Sequence, residues 1–488
     1  MLFSYKNIIL LPIIIVTSGC GPSSIDIKKS YKQVSTNLSK KINTSKDHIV
    51  NKFTELRKYN FQDENSIESK QVEEIEHIIT NIEKHALEKV PYDFSKPFDS
   101  IISNVISQHP EVQSAIYSLK AAEQEVIASE SENRPQIIGS LNAGGVNNNI
   151  GSSTFKPGLG LNAAISKVIY DGGYNAGGIG KKVALLEKAK ANTDLAKNRI
   201  GFKATSAWIN LWVLREKLKE VNETLNNTNP ILADIKRMAE SGLIDRTIVD
   251  NIENSLLKIS LDKQKLEIGK DLSELNFENF FGNSPNKLIL PTSSYDVDIF
   301  KLKMDDAATI PSLRLAASEL VASREEIKSI EGEFKPKVSF NISANSPTDP
   351  DDKASVAVGI NSTYTFSDGG RLKARLKVAQ AKSSEIKFVL ENSKIETTKS
   401  IESDIKSLNF LEQSRSLSQM RLSKNSESLT ILKSQILTGQ SRLNDLIDMH
   451  IEKVGITNNL LDNTAQYEIA KYSLAAILGI FSELKEAK

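Results

Sequence analysis

Two aspartates three residues apart, Asp445 and Asp448, fall on one face of any helix that carries them. A doubled carboxylate face attracts cations, although acids in a first helical turn are also ordinary solvated residues favoured by the helix dipole. Other residue types offer less chemistry. His48, His77, His85, His109 and His450 are scattered and share no metal-ligand spacing. The glycine-rich run Gly172 to Gly180 lacks the Gly-Lys-Ser/Thr ending of a phosphate loop and reads as a strand-to-helix turn. Trp208 and Trp212 lie one helical turn apart and read as packing residues. A single cysteine excludes a disulfide framework and a cysteine-rich zinc site. A net charge of +1, from 62 basic and 61 acidic residues, excludes charge-driven binding to nucleic acid. No catalytic set emerges, so the expectation is a protein that is not an enzyme and needs no metal or cofactor.

The chain start carries different information. Lys6 precedes a short apolar run, Ile8 to Val16, and then Thr17-Ser18-Gly19-Cys20. A basic start, a short apolar stretch and small residues make a secretory signal, too short to span a bilayer. The placement of Cys20 resembles the lipobox of bacterial lipoproteins, with Thr17 where leucine is usual. That resemblance implies cleavage after residue 19, acylation of the Cys20 sulfur and, because Gly21 rather than aspartate follows, sorting to the outer membrane. A cleaved signal or N-terminal anchor with an incidental cysteine is the plainer reading. Residues 20–100 form a polar, Lys/Glu-rich, helix-permissive extension without a motif, either a peripheral helical segment or a partly disordered arm.

An internal repeat sets the architecture. His109-Pro110 matches Ile310-Pro311, and Arg134-Pro135 matches Lys335-Pro336, both offset by 201 residues. Asp171-Gly172-Gly173 matches Asp368-Gly369-Gly370, Gly242 matches Gly439, and Phe281-Gly282 matches Leu478-Gly479, all offset by 197. The chain is thus two copies of one αββα unit, 101–282 and 307–480, joined by a linker at 283–306 and followed by a tail at 481–488.

Each copy opens with a helical stretch that ends at a cation followed by proline, which pushes the preceding residue out of the helical region. Two alternating stretches follow, the mark of half-buried strands, at about 136–147 and 157–170 and again at about 337–346 and 354–366. Ile137, Leu141 and Ala143 alternate with small or polar residues, as do Leu159, Leu161, Ala163 and Ile165. Val338, Phe340, Ile342 and Ala344 alternate with Ser339, Asn341, Ser343 and Asn345, and Val356, Val358, Ile360, Tyr364 and Phe366 repeat the pattern. After each Asp-Gly-Gly turn comes a long helix, about Tyr174 to Glu240 and Arg371 to Ile436. Each such rod is roughly 100 Å long at 1.5 Å per residue. A kink is expected at Asn229-Pro230. Gly242 and Gly439 then reverse the chain into a returning helix. Rods of this length pack side by side as a coiled-coil-like bundle.

Strands of about ten residues can cross a membrane when tilted, but a spanning sheet must close, and four strands cannot close around a lumen. Several chains must share one barrel, and three chains would supply twelve strands. This duplicated unit, with its helix-Pro-strand entries, Asp-Gly-Gly turns and glycine tips, resembles the TolC-type outer-membrane efflux proteins over about residues 100–480. Cys20 places it nearer their lipoprotein branch. The resemblance implies a mainly α fold with a small β part and a homotrimer in the bacterial outer membrane. Four strands per chain would enter a twelve-stranded barrel, continued by a helical periplasmic tunnel. It also implies a periplasmic adaptor and an inner-membrane pump of RND or ABC type as partners, outer-membrane lipid around the barrel, and no nucleic acid.

The resemblance further implies that Asp445 and Asp448, six and nine positions after Gly439, line the periplasmic mouth as two rings. Copy one has Ile248 where copy two has Asp445, so its tip supplies no second acidic ring. The Arg and Tyr that close the mouth in the family are replaced here by Ser441 and Ile436; Arg442 and Asp245 offer a different lock. Adaptor docking is implied at Gly242, Leu243, Ile244, Gly439, Arg442 and Leu443, with ordinary tip packing as the competing reading. Asp171, Gly172, Gly173, Asp368, Gly369 and Gly370 are read as the strand-helix turns. The functional expectation is an exit duct for efflux or type I secretion. The alternative is a coiled-coil scaffold lipoprotein, which has no need of four alternating strands.

Overall fold

A computed structural model describes residues 93–146, 156–291, 309–346, 354–437 and 443–484. They lie in the unit Lys89–Lys488. Cys20, the signal segment and residues 21–92 are outside the described residues, as are Gly439 and Arg442.

The element order is α1 (Phe98–Gln108), α2 (Pro110–Ser131), β1 (Gln136–Val146), β2 (Lys156–Tyr170), α3 (Tyr174–Glu240) and α4 (Arg246–Phe281) in the first copy. The second copy follows as α5 (Pro311–Gly332), β3 (Lys337–Ser346), β4 (Ser355–Thr363), α6 (Arg371–Leu437) and α7 (Leu443–Ile477), closed by a 3₁₀ turn at Ile480–Glu483. Pro110 and Pro311 sit at the first helical position of α2 and α5, where the missing N–H costs nothing. His109 Nδ1 accepts from the Glu111 backbone N–H at 3.2 Å and caps α2. The helix α3 continues through Pro230 without ending there. Buried Ile235 on the far side of the proline anchors the helix against the returning α4, and such packing outweighs one lost backbone bond.

The four strands form one antiparallel sheet in the order β1-β2-β3-β4. The register sorts side chains by face. Ile137 pairs with Ile165, Ile165 with Ile342, and Ile342 with Val358; Leu141 pairs with Leu161 and Phe340 with Ile360. The opposite face carries the pairs Gln136–Ser166, Ser140–Asn162, Asn162–Asn345, Ser166–Asn341 and Ser339–Asn361. One face is therefore apolar across all four strands and the other is hydroxyl- and amide-rich. The strand β3 begins at Lys337 because Pro336 has no N–H to give the ladder. Its partner β4 accordingly ends at Thr363, opposite Lys337, three residues short of Phe366.

The helices pack in a fixed order. The long α3 lies against α1, α2, α4, α5 and α7, whereas α6 packs principally on α5 and α7. The main core gathers midway along α3, where Phe94, Phe98, Trp208, Phe277, Phe281, Tyr472 and Phe481 meet ring against ring. Trp208 Nε1 donates to the Ile289 carbonyl at 2.8 Å, and Arg215 donates to Glu274, to Ser284 Oγ and to the Pro285 carbonyl. These contacts tie the segment after α4 to the middle of α3. Trp212 packs against the same core.

Candidate functional site

The strand-helix turns are built identically in both copies. Asp171 accepts from Gly173 N at 2.9 Å and from Asn175 N at 2.9 Å. Asp368 accepts from Gly370 N at 3.0 Å and from Leu372 N at 2.8 Å. Each carboxylate thus satisfies donors that the start of a long helix would leave orphaned, and its charge faces the positive end of the dipole. The two glycines of each turn have positive φ, 72° and 98° at Gly172 and Gly173, 69° and 88° at Gly369 and Gly370. Gly172 is also enclosed: a Cβ there would lie 2.5 Å from Lys335 Cβ and 2.7 Å from the Gly332 carbonyl. Lys335 Nζ donates to the Gly172 carbonyl at 3.0 Å and so couples the two copies at this level. Sequence reasoning noted the cation before Pro336 but did not find this bridge. The remaining glycines of the 172–180 run let α3 approach α5: a Cβ on Gly177 would overlap the Ser329 backbone, and one on Gly180 would meet the Glu325 carboxylate.

At the first tip, α3 ends in a Schellman arrangement. Leu243 N donates to the Met238 carbonyl at 2.9 Å, Gly242 N donates to the Ala239 carbonyl at 3.0 Å, and Gly242 has φ 76°. Asp245 caps α4 by accepting from Thr247 N at 2.9 Å, and that bond holds its carboxyl below the usual range. Its carboxylate already serves the helix start, and the suggested partner Arg442 is outside the described residues. Leu243 is 72% exposed, but Ile244 and Leu443 pack into a tip cluster with Ile235, Val249, Ile252, Leu256 and Ile447. Of the three apolar residues considered for docking, only Leu243 stands open on the chain.

The second tip carries the acid pair. Asp445 lies in the first turn of α7 and accepts from Asn444 Nδ2 at 3.1 Å. Asp448 follows one turn later on the exposed side. Partial loss of water, and then the charge of Asp445, push the Asp448 carboxyl above its ordinary range. The two acids are thus close enough to feel one another. Ile248, at the matching place in copy one, instead packs against the tip cluster. Below these acids, His450 is buried, and Lys453 Nζ donates to Glu220 at 2.7 Å across to α3.

Among the described residues no group of histidine, cysteine and acidic side chains is placed to hold a metal ion. No described helix is long and apolar enough to cross a membrane. The feature with a membrane-like division of polarity is the sheet.

Residues 307–480 match the family described as outer membrane efflux protein. No curated protein matches the sequence. Among solved structures, the outer membrane protein VceC from Vibrio cholerae is similar over 78% of this chain and 95% of its own, with a TM-score of 0.68 at 14% identity. The Campylobacter jejuni CmeC outer membrane channel is similar over 80% of this chain and 89% of its own, with a TM-score of 0.67 at 12% identity. The open state of the Neisseria gonorrhoeae MtrE outer membrane channel covers 78% of this chain and 88% of its own, with a TM-score of 0.67 at 13% identity. The first copy, which lies outside the matched segment, has the same αββα order as the second. The second copy thus matches the outer membrane efflux protein family, and the fold of the chain is similar to those of solved outer-membrane channels.

Proposed function

We propose that the protein is an outer-membrane channel, the exit duct of a tripartite efflux or type I secretion system. The observation that carries this is the sheet. It has one apolar face and one hydroxyl- and amide-rich face, and β1 and β4 are each paired on one side only among the described residues. Open edges in lipid leave backbone groups unsatisfied, so such a sheet is completed by further copies. Three copies give twelve strands, with apolar faces toward lipid and polar faces toward a wet lumen. The long hairpins α3–α4 and α6–α7 continue the duct through the periplasm. Cargo moves along it from an inner-membrane pump of RND or ABC type, with a periplasmic adaptor docked near the tips. Cys20, acylated after removal of residues 1–19, adds a lipid anchor. Asp445 and Asp448 form the acidic rings of the periplasmic mouth.

The experiment is assembly and conductance together. Purified full-length protein should run as a heat-resistant trimer from outer-membrane fractions and should conduct ions in planar bilayers. A monomer without conductance would leave a coiled-coil scaffold as the surviving alternative.

A further inference from the structure

The helix-side rim of the sheet carries a group of residues that the channel reading leaves unused. Among the described residues, the apolar face has one charged side chain, Lys167, directly opposite Phe340 in the ladder. Lys167 is exposed and makes no ion pair among the described residues. One step further, a β-bulge between Val168 and Tyr170 brings Tyr170 opposite Val338, which lies on the apolar face. Without that extra residue Tyr170 would fall on the polar face. Tyr364 and Phe366 follow β4 at the same rim, their rings meeting edge to face at 4.9 Å. Phe366 is 92% exposed, and Tyr170 and Tyr364 are about half exposed. Arg134 and Lys335 lie at the same level, at the cation-proline entries to β1 and β3.

We propose that this rim is a headgroup site for anionic phospholipid in the inner leaflet of the outer membrane, with Lys167 as its phosphate contact. The inference rests on the barrel reading given above. A lysine at the end of an apolar face lays its alkyl stem along that face and carries its ammonium to the headgroup level. Exposed aromatics beside it suit the same interfacial layer. A second copy of the chain is not what covers these residues. Copies join at the sheet edges, β1 and β4, and Lys167 and Tyr170 stand on β2, an interior strand. Uncharged Asn and Ser side chains dominate the opposite face, so the cation is placed for lipid and not for cargo.

Native mass spectrometry of the full-length protein, released from bilayers of equal phosphatidylglycerol and phosphatidylcholine, tests this. The wild-type chain should retain phosphatidylglycerol preferentially. Lys167→Gln should lower that preference about fivefold, the effect of one basic side chain at an anionic surface. Lys167→Arg should keep it, and Lys337→Gln, on the polar face, should leave it unchanged. Equal retention of both lipids by the wild type, or an equal loss with Lys337→Gln, overturns the site. A chain that conducts but shows no preference fails this inference alone. A chain that neither conducts nor retains lipid fails the channel reading, and this site with it.

Discussion

The helices α3 and α6 occupy the same place in the two copies and both contain 67 residues, yet their surroundings differ. Much of α3 is enclosed: Ile200, Ala204, Ile209 and Leu211 are at most 1% exposed. Along α6 the buried positions Ile401, Leu408, Leu411, Asn425 and Leu429 form a single seam, while Val378, Phe388, Ile395, Phe410, Leu417 and Ile431 stand open. Phe410 and Leu417 are seven residues apart, as are Phe388 and Ile395, which is the spacing of a second coiled-coil seam. The α4 helix, at the other end of the packing order, exposes Leu257, Leu261, Ile268 and Leu272. The first copy's rod is thus interior and the second copy's rod is an edge. At the sheet, β1 and β4 are each paired on one side only among the described residues. One duplicated unit has produced an enclosed rod and an open one, and under the proposed trimer the open rod is the one that would meet another copy.

A charge placed on each rod separates the two roles most sharply. Ile209→Glu puts an unpaired carboxylate at a fully buried site on α3 and should cost about 4 kcal/mol or more. Loss of cooperative unfolding in circular dichroism would register it. Phe410→Glu combined with Leu417→Glu sits on the open face of α6 and should change the stability of the single chain by only about 0.5 kcal/mol. It should instead remove the heat-resistant trimer on gels. A trimer that survives the α6 pair would mean that this face is not the one that closes the assembly.

The strand-helix turns offer a gentler contrast. Gly172→Ala meets both an unfavourable φ and the Lys335 side chain, and should cost about 3 kcal/mol. Gly369→Ala has the same strain but open space around it, and should cost about 1 kcal/mol. Denaturant midpoints of the two variants give the difference. Equal losses would show that backbone conformation alone, and not the Lys335 bridge between copies, fixes these turns.

Such contrasts mark how far the sequence reaches. The αββα duplication was legible because its punctuation is local: prolines at helix and strand starts, Asp-Gly-Gly at the turns, glycine at the tips. Strand faces were legible because alternation has period two and the register preserves it. The repeat landmarks do not say which rod is enclosed, although composition carries a trace of it: α3 has nine alanines, four glycines and one serine, against three, none and thirteen in α6. Pro230 does not end α3, whose far side is held by packing that no local signal announces. Ile244 and Leu443 pack partly into the tip cluster, a contact between helices remote in sequence that spacing does not announce. The bulge that re-aims Tyr170 leaves no trace in the alternation, and Lys167 showed itself only as a break in an apolar series.

The tips differ by charge, with Ile248 in copy one against Asp445 in copy two. Asp445→Asn with Asp448→Asn should move the cation-to-anion permeability ratio toward unity and weaken block by trivalent cations. Ile248→Asp, which would give copy one the missing acid, should move the ratio the other way by a smaller amount. The Asp448 carboxyl is held above its ordinary range, so cation preference should fade on acidification sooner than for a carboxylate free in water. The same shift means that stability from its protonated form is whole below the unfolded value and is lost as pH rises through the folded one. Selectivity measured between neutral and mildly acidic pH, with and without Asp448→Asn, checks the first sign, and denaturant midpoints over the same range check the second.

One further pair separates the copies by the smallest effect. In copy one, Lys236 forms an ion pair with Glu253. The residues 197 positions later are Lys433 and His450. Copy two therefore has an imidazole where copy one has a carboxylate. Burial first, and then the charges of Lys433 and Lys453, hold His450 below the ordinary imidazole range, while Glu220 pulls the other way. The unfolded chain takes up this proton at a higher pH than the folded chain. Stability contributed by neutral His450 is thus whole above the ordinary imidazole value and is lost as pH falls through the lowered one. Hydrogen exchange of α7 near Leu443–Ile456, corrected for intrinsic rate, should show slightly weaker protection at about pH 5 than at about pH 7. Protection around Arg246–Ile259 in α4 should change less. His450→Gln should flatten the difference, and His450→Glu, which restores the arrangement of copy one, should remove it while giving Lys433 a carboxylate partner. If α7 responds to acid as strongly in both variants as in the wild type, the sensitivity belongs to the Asp445–Asp448 pair and not to the imidazole.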